Sequence, residues 1–300
     1  MSILVDKSTS VIIQGITGRE AVSFTRDMLD YGAKVVGGVT PGRGGRDVLG
    51  VPVYDSVRRI TDKEHVDASV LAVPAPFVRD AAFEAIEAGV PLLVIVTERV
   101  PRRDVVQVLE LARLRGSRVI GPNTMGVISP GKTKVGSIGG PAEDTCKSFV
   151  PGPVGVMSRS GGMTTELANL LTQNGLGQST AISMGGDPIV GSTFAETLPL
   201  WEDDPETKAL VLFCEPGGPL EAALAQRVQR EGNSLPIVAF IAGHFTADMP
   251  GVRFGHAGSI VEGKADTAAE KARILREAGI IVADAFSEIP ALVKRALGEG

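Results

Sequence analysis

Ser10-Val11-Ile12-Ile13-Gln14-Gly15-Ile16-Thr17-Gly18 is an apolar run that ends in a glycine turn, and residues 19–31 after it follow a helical pattern. A strand that is apolar throughout is buried on both faces, which is the condition of a parallel sheet covered by helices. Glycines at the start of the helix let backbone N–H groups point at an anion that the helix dipole also favours. The turn therefore reads as a phosphate cradle. It has the spacing G-x-x-G, and a dinucleotide fingerprint needs G-x-G-x-x-G.

The same alternation runs outward from this turn. Apolar runs at 33–39, 68–73, 91–96 and 118–121 alternate with helical patterns at 77–88 and 102–115. Together they predict an α/β, Rossmann-like domain over 1–125. The stretch 126–152 breaks the rhythm with Ser129-Pro130-Gly131-Lys132 and Gly139-Gly140-Pro141, and reads as a connecting segment. Over 153–300 the alternation resumes, with apolar runs at 154–157, 180–184, 209–214, 236–241 and 280–283. Helical patterns at 163–174, 193–202, 219–230, 267–278 and 287–297 separate or follow them. By strand count this is a second doubly wound domain, flavodoxin-like.

In such sheets ligands bind beyond the carboxyl ends of the strands, and the glycine-rich turns fall at those ends. Thr40-Pro41-Gly42-Arg43-Gly44-Gly45 follows the second strand and places a cation where a nicotinamide dinucleotide site usually has an acidic residue. That favours a phosphate-rich nucleotide such as coenzyme A over NAD. Ser158-Arg159-Ser160-Gly161-Gly162 is a second anion cradle, where Ser160 can cap the helix and, with Gly161, offer donors to a phosphoryl group. Glu215 in Cys214-Glu215-Pro216-Gly217-Gly218 also ends a strand. His256, between the glycines of Gly255-His256-Ala257-Gly258, is a nitrogen nucleophile in a loop that a bulky group can approach. A carboxylate such as Glu215 beside it would orient the imidazole and raise its basicity. His244 also follows a strand end and stays a second candidate, whereas His65 lies in a charged surface stretch.

Bulk composition excludes several classes. The formal net charge of −5 and the 4% aromatic content fit neither a basic nucleic-acid surface nor a stacking platform. Two cysteines build no disulfide framework and match no metal spacing. They suit a reducing, cytoplasmic compartment, with no signal peptide and no apolar run long enough to span a bilayer.

In order, Gln14-Gly15-Ile16-Thr17-Gly18, Gly37-Gly38-Val39-Thr40-Pro41-Gly42, Val73-Pro74-Ala75-Pro76-Phe77, Ile120-Gly121-Pro122-Asn123, Ser158-Arg159-Ser160-Gly161, Gly185-Gly186-Asp187-Pro188 and Gly255-His256-Ala257-Gly258 resemble the succinyl-CoA synthetase (succinate–CoA ligase) alpha-subunit family over nearly the whole chain. The resemblance implies an N-terminal CoA-binding domain followed by a ligase domain whose His256 carries a phosphoryl group. It implies that Glu215 steadies the histidine and that Ser160 and Gly161 cradle the phosphate. Thr17, Gly18, Arg19, Glu20, Arg43, Val96, Thr97 and Glu98 match the CoA-contacting positions. It further implies an ATP-grasp beta subunit, as a heterodimer or heterotetramer, that holds ATP or GTP with Mg²⁺. Arg43 stands where the family usually has lysine, and Gly162-Met163-Thr164-Thr165-Glu166 lacks the usual tyrosine. That stretch, with Gly136-Ser137-Ile138-Gly139-Gly140, is more similar to ATP-citrate lyase and citryl-CoA synthetase. Citrate or malate is then an alternative acid to succinate, and a non-catalytic CoA-binding regulatory protein is the alternative from another class.

Overall fold

A computed structural model describes residues 2–248, 256, 258–261 and 263–298. The strands of the first sheet are β1 (Ser10–Gln14), β2 (Lys34–Val39), β3 (Asp47–Val48), β4 (Val51–Tyr54), β5 (Ala68–Leu71), β6 (Leu92–Ile95) and β7 (Arg118–Ile120). Their order is β3-β4-β2-β1-β5-β6-β7, parallel throughout except for the β3–β4 hairpin. Without β3 this is the Rossmann order, with its reversal between β1 and β5. All five residues of β1 are buried, as a central strand covered on both faces requires. Helix α1 (Arg19–Asp30) packs Ala21, Phe24, Thr25 and Met28 inward, a spacing of three to four that lines up one helix face. The helices α2 (Arg58–Thr61), α3 (Val78–Glu87) and α4 (Arg102–Arg115) follow.

The second sheet holds β8 (Val127–Ser129), β9 (Thr133–Val135), β10 (Pro151–Ser158), β11 (Gln178–Ser183), β12 (Ala209–Cys214), β13 (Ile237–Ile241) and β14 (Ile281–Ala283), in the order β14-β13-β12-β10-β11-β8-β9. The five strands from β10 on are parallel, and their order is the flavodoxin-like one, reversing between β10 and β12. Helices α5 (Ala142–Ser148), α6 (Gly161–Gln173), α7 (Phe194–Glu202), α8 (Leu220–Glu231), α9 (Ala268–Glu277) and α10 (Ile289–Ala296) cover it.

The stretch 126–152, expected as a connector, instead supplies β8, β9 and α5, with β8 antiparallel to β11. Three-residue strands are too short to show an alternation, so only their turn residues were legible. The β3–β4 hairpin was hidden for the same reason; Leu49 and Gly50, with φ of 56° and 83°, form its left-handed turn.

One apolar cluster is continuous through both sheets, from Val5, Ile13 and Ile120 through Val127 and Val135 to Met157 and Leu212. Polar stitches run alongside it. Gly121 N–H donates to Met184 O at 3.2 Å, and the Ser129 hydroxyl donates to Val5 O at 2.9 Å. No helix among the described residues is long and apolar enough to cross a membrane.

Candidate active site

The reversal point of the first sheet opens into a cavity of about 510 Å³, lined by Gly15, Thr17 and Gly18 after β1, Thr40 after β2, and Val73 and Pro74 after β5. Gly18 caps α1 with no side-chain acceptor, which leaves the first N–H groups of the helix available to a phosphate. Gly15 has φ of 84°, and a Cβ there would stand 2.6 Å from Ala72 O. Both the handedness and the close approach demand glycine. Gly15→Ala is expected to cost about 2 kcal/mol of stability and to raise the Kd for CoA, read together by thermal denaturation and calorimetric titration.

The reversal point of the second sheet holds the histidine. The chain leaves β10 through Ser158, whose hydroxyl accepts from Ser160 N–H at 3.1 Å and donates to Ser160 O at 2.7 Å. Ser160 caps α6 by accepting from Met163 N–H at 3.4 Å. From the end of β12, Glu215 presents both carboxylate oxygens to Nδ1 of His256, at 3.0 and 2.9 Å. The Ser259 hydroxyl donates to the same carboxylate at 2.6 Å. The His256 side chain keeps 27% of its exposure and that of Glu215 11%, so the ring is reachable from solvent while the carboxylate is largely covered.

Burial by itself would raise the Glu215 carboxyl, but the hydrogen bond and charge of His256, Ser259 and Arg159 together hold it below the usual range. His256 is raised above an ordinary histidine, first by the hydrogen bond to Glu215, against the opposing effect of burial. With Nδ1 engaged by a carboxylate, the neutral ring carries its proton on Nδ1 and leaves the Nε2 lone pair free. Nε2 is therefore the ring nitrogen left open to an electrophile.

The ring lies against Gly186 at the end of β11, with space for no side chain between them. Beside it, Asn123 of the first half donates its amide to Asp187 at 3.1 Å, and burial raises the Asp187 carboxyl. A cavity of about 470 Å³ joins these parts: Glu20 and Val96 from the first half, Gly161 and His256 from the second, with Asn123 and Met125 between.

Of the residues expected at the sites, Thr17 and Gly18 thus line the first cavity, and Glu20, Val96, Gly161 and His256 the second. Arg19 and Arg43 are exposed and line neither. The Thr97 hydroxyl is taken up by Val73 O at 2.7 Å, and Glu98 pairs at the surface with Arg99 at 3.5 Å. His244 is exposed in a 3₁₀ turn after β13. Gly255, Ala257, Glu262 and residues 250–254 lie outside the described residues. Sequence reading missed Ser259 and Asp187 as site members; a lone hydroxyl or acid carries no signal until the fold folds it against the histidine. No cluster of metal-ligating side chains occurs among the described residues.

Residues 6–99 match the model of a CoA binding domain, and residues 157–281 that of a CoA-ligase. The chain is 45% identical to the ADP-forming succinate–CoA ligase subunit alpha of Methanothermobacter thermautotrophicus, covering 99% of this chain and 97% of that one. It is 46% identical to subunit alpha 2 of the same ligase from Archaeoglobus fulgidus, over 99% of this chain and 100% of that one. Among solved structures it is similar to ATP citrate lyase of Methanosaeta concilii in complex with (3S)-citryl-CoA, with a TM-score of 0.92 at 25% identity. That similarity covers 99% of this chain but 50% of the longer lyase chain. By these identities over its whole length, the chain belongs to the family of succinate–CoA ligase alpha subunits.

Proposed function

We propose that this chain is the phosphohistidine-bearing alpha subunit of a nucleotide-dependent acid–CoA ligase, with succinate as its acid. The observation that carries the reading is the His256–Glu215 pair at the rim of the cavity that both halves share. In the first step Nε2 of His256 attacks the terminal phosphorus of a nucleoside triphosphate; the P–N bond forms as the P–O bond to the diphosphate breaks. A carboxylate oxygen of the acid then attacks that phosphorus, releasing the histidine and leaving an acyl phosphate. The CoA thiolate attacks the acyl carbon, phosphate departs, and the thioester remains. Glu215 balances the positive charge that develops on the ring, and the N-terminus of α6 faces the transferring phosphoryl oxygens. The nucleotide and its Mg²⁺ belong to a partner subunit of the ATP-grasp type, in a heterodimer or heterotetramer. The two free cysteines, Cys146 exposed and Cys214 buried, suit a cytoplasmic setting.

Relatives at 45% and 46% identity favour succinate over the bulkier acid that the missing tyrosine raises. The test reconstitutes the chain with its partner subunit and radiolabelled nucleotide, and scores succinate, malate, citrate and itaconate for acyl-CoA. Label on His256 with succinate ahead supports the proposal. Citrate ahead would replace the acid, and CoA binding without label on His256 would favour a regulatory protein.

Glu215 also sets the pH dependence. Only unprotonated Nε2 accepts a phosphoryl group, so uptake rises with pH through the histidine's titration. The acid limb of the single-turnover rate is expected above 6.5. In Glu215→Gln the limb moves down, since its largest cause is gone, while the plateau rate falls about 10²-fold because the amide no longer holds the proton on Nδ1.

A further inference from the structure

Beneath the Glu215 turn lie three acidic and basic side chains, of which the chemistry above uses only Arg159, through its charge. Arg159, Lys271 and Glu221 are 2%, 1% and 0% exposed. Lys271 Nζ donates to Glu221 Oε2 at 2.6 Å, to Glu215 O at 2.9 Å and to Gly217 O at 2.6 Å. Arg159 Nη1 donates to Glu215 O at 3.1 Å and Gly217 O at 2.8 Å, and stands 3.7 Å from Glu221 Oε1. Glu221 Oε1 and Arg159 Nε find no hydrogen-bond partner among the described residues.

Such a cluster is a poor way to gain stability. Each buried ion costs several kcal/mol to desolvate, and apolar replacements of similar volume are often neutral or better. What the cations do accomplish is geometric. They turn the carbonyls of Glu215 and Gly217 inward, and with its backbone held from below, Glu215 sends its carboxylate to the histidine. Lys271 comes from α9, beyond His256 in the chain, so it joins the turn after β12 to the segment that follows the nucleophile. Gly217 N–H donates to Asp266 O at 2.9 Å along the same seam.

We propose that Lys271 is a positioning residue for phosphoryl transfer, which through the carbonyls of Glu215 and Gly217 holds the Glu215 carboxylate against Nδ1 of His256. The proposal rests on the phosphohistidine reading. Lys271 touches neither substrate nor the ring; the charged groups that face the ring are Glu215, Asp187 and Arg159.

The test uses the full chain with its partner subunit. Lys271→Met alone leaves Glu221 with only Arg159, 3.7 Å away, as its counter-charge, so it is paired with Lys271→Met/Glu221→Gln, which removes one charge of each sign and leaves Arg159 on the carbonyls of Glu215 and Gly217. The expected result is an unchanged or higher Tm, with unchanged KM for acid and CoA. Phosphoryl uptake by His256 falls about 10-fold or more, and the histidine's titration moves down from its position in the parent chain in ¹⁵N NMR. A double variant that does not fold, or one with the wild-type titration and uptake rate, would overturn the proposal by making the cluster structural or idle. The NMR titration needs no nucleotide. A wild-type chain that takes no label therefore refutes the phosphohistidine reading while the comparison of titrations still tests the role of Lys271.

Discussion

His256→Asn is expected to abolish labelling by nucleoside triphosphate and to lower acyl-CoA formation more than about 10⁴-fold. Asparagine keeps a polar group of similar reach but offers no nucleophilic nitrogen, and the two later steps need the phosphoryl group that only the first one delivers. The remaining properties should survive. The Ser259 hydroxyl still donates to Glu215, at 2.6 Å in the parent chain. Among the described residues, the lining of the cavity at the reversal point of the first sheet includes neither His256 nor residues 258–261, so CoA binding is expected to be unchanged. Calorimetric titration with CoA beside a gel-based label assay separates the two outcomes. Label retained in the variant would place the acceptor elsewhere, and His244, exposed after β13, would be examined first.

Gly186→Ala is expected to lower phosphoryl uptake about 10²-fold without unfolding the chain. A Cβ on Gly186 would stand 2.5 Å from Cδ2, 2.6 Å from Cγ and 2.8 Å from Nε2 of His256. One of the two must move, and Gly186 is held on both sides. Its N–H donates to Asn123 O and its carbonyl accepts from Gly258 N–H, both at 3.1 Å. The ring is therefore the part displaced. Moving a nucleophile by about 1 Å costs roughly two orders of magnitude in rate. Gly186 lies outside the left-handed region, so alanine adopts its backbone without strain. A single-turnover rate measured with the melting temperature decides the matter: a lowered Tm with an unaltered rate would show that the backbone gave way instead.

How far the sequence was legible varied with scale. Long apolar strands such as Ala209–Cys214, buried at every residue, announced a covered parallel sheet, and their glycine-ended turns announced the rim. From that rim alone Glu215 and His256 could be expected to meet. The edges were different: Val127–Ser129 and Thr133–Val135 carry three residues each, and their placement in the second sheet depends on pairing with a strand some fifty residues away. Nothing local encodes that. Charge was the least legible property. Arg159 stands in sequence within a glycine-rich anion cradle and Lys271 looks like any surface cation, and only the fold reveals that both point inward at the same turn. Arg43 shows the opposite case, a cation well placed by motif that stands exposed and outside either cavity lining.

The apolar cluster that passes from Ile13 through Val127 and Val135 to Leu212 ignores the division into two halves. A chain cut near residue 125 would bare the first half's share of it to water, and the carboxyl-terminal piece would lose its covering too. The CoA-binding half is therefore no detachable cassette. It melts with its neighbour, and heat should find a single cooperative object in which the thiol's harbour and the phosphate's seat are lost together.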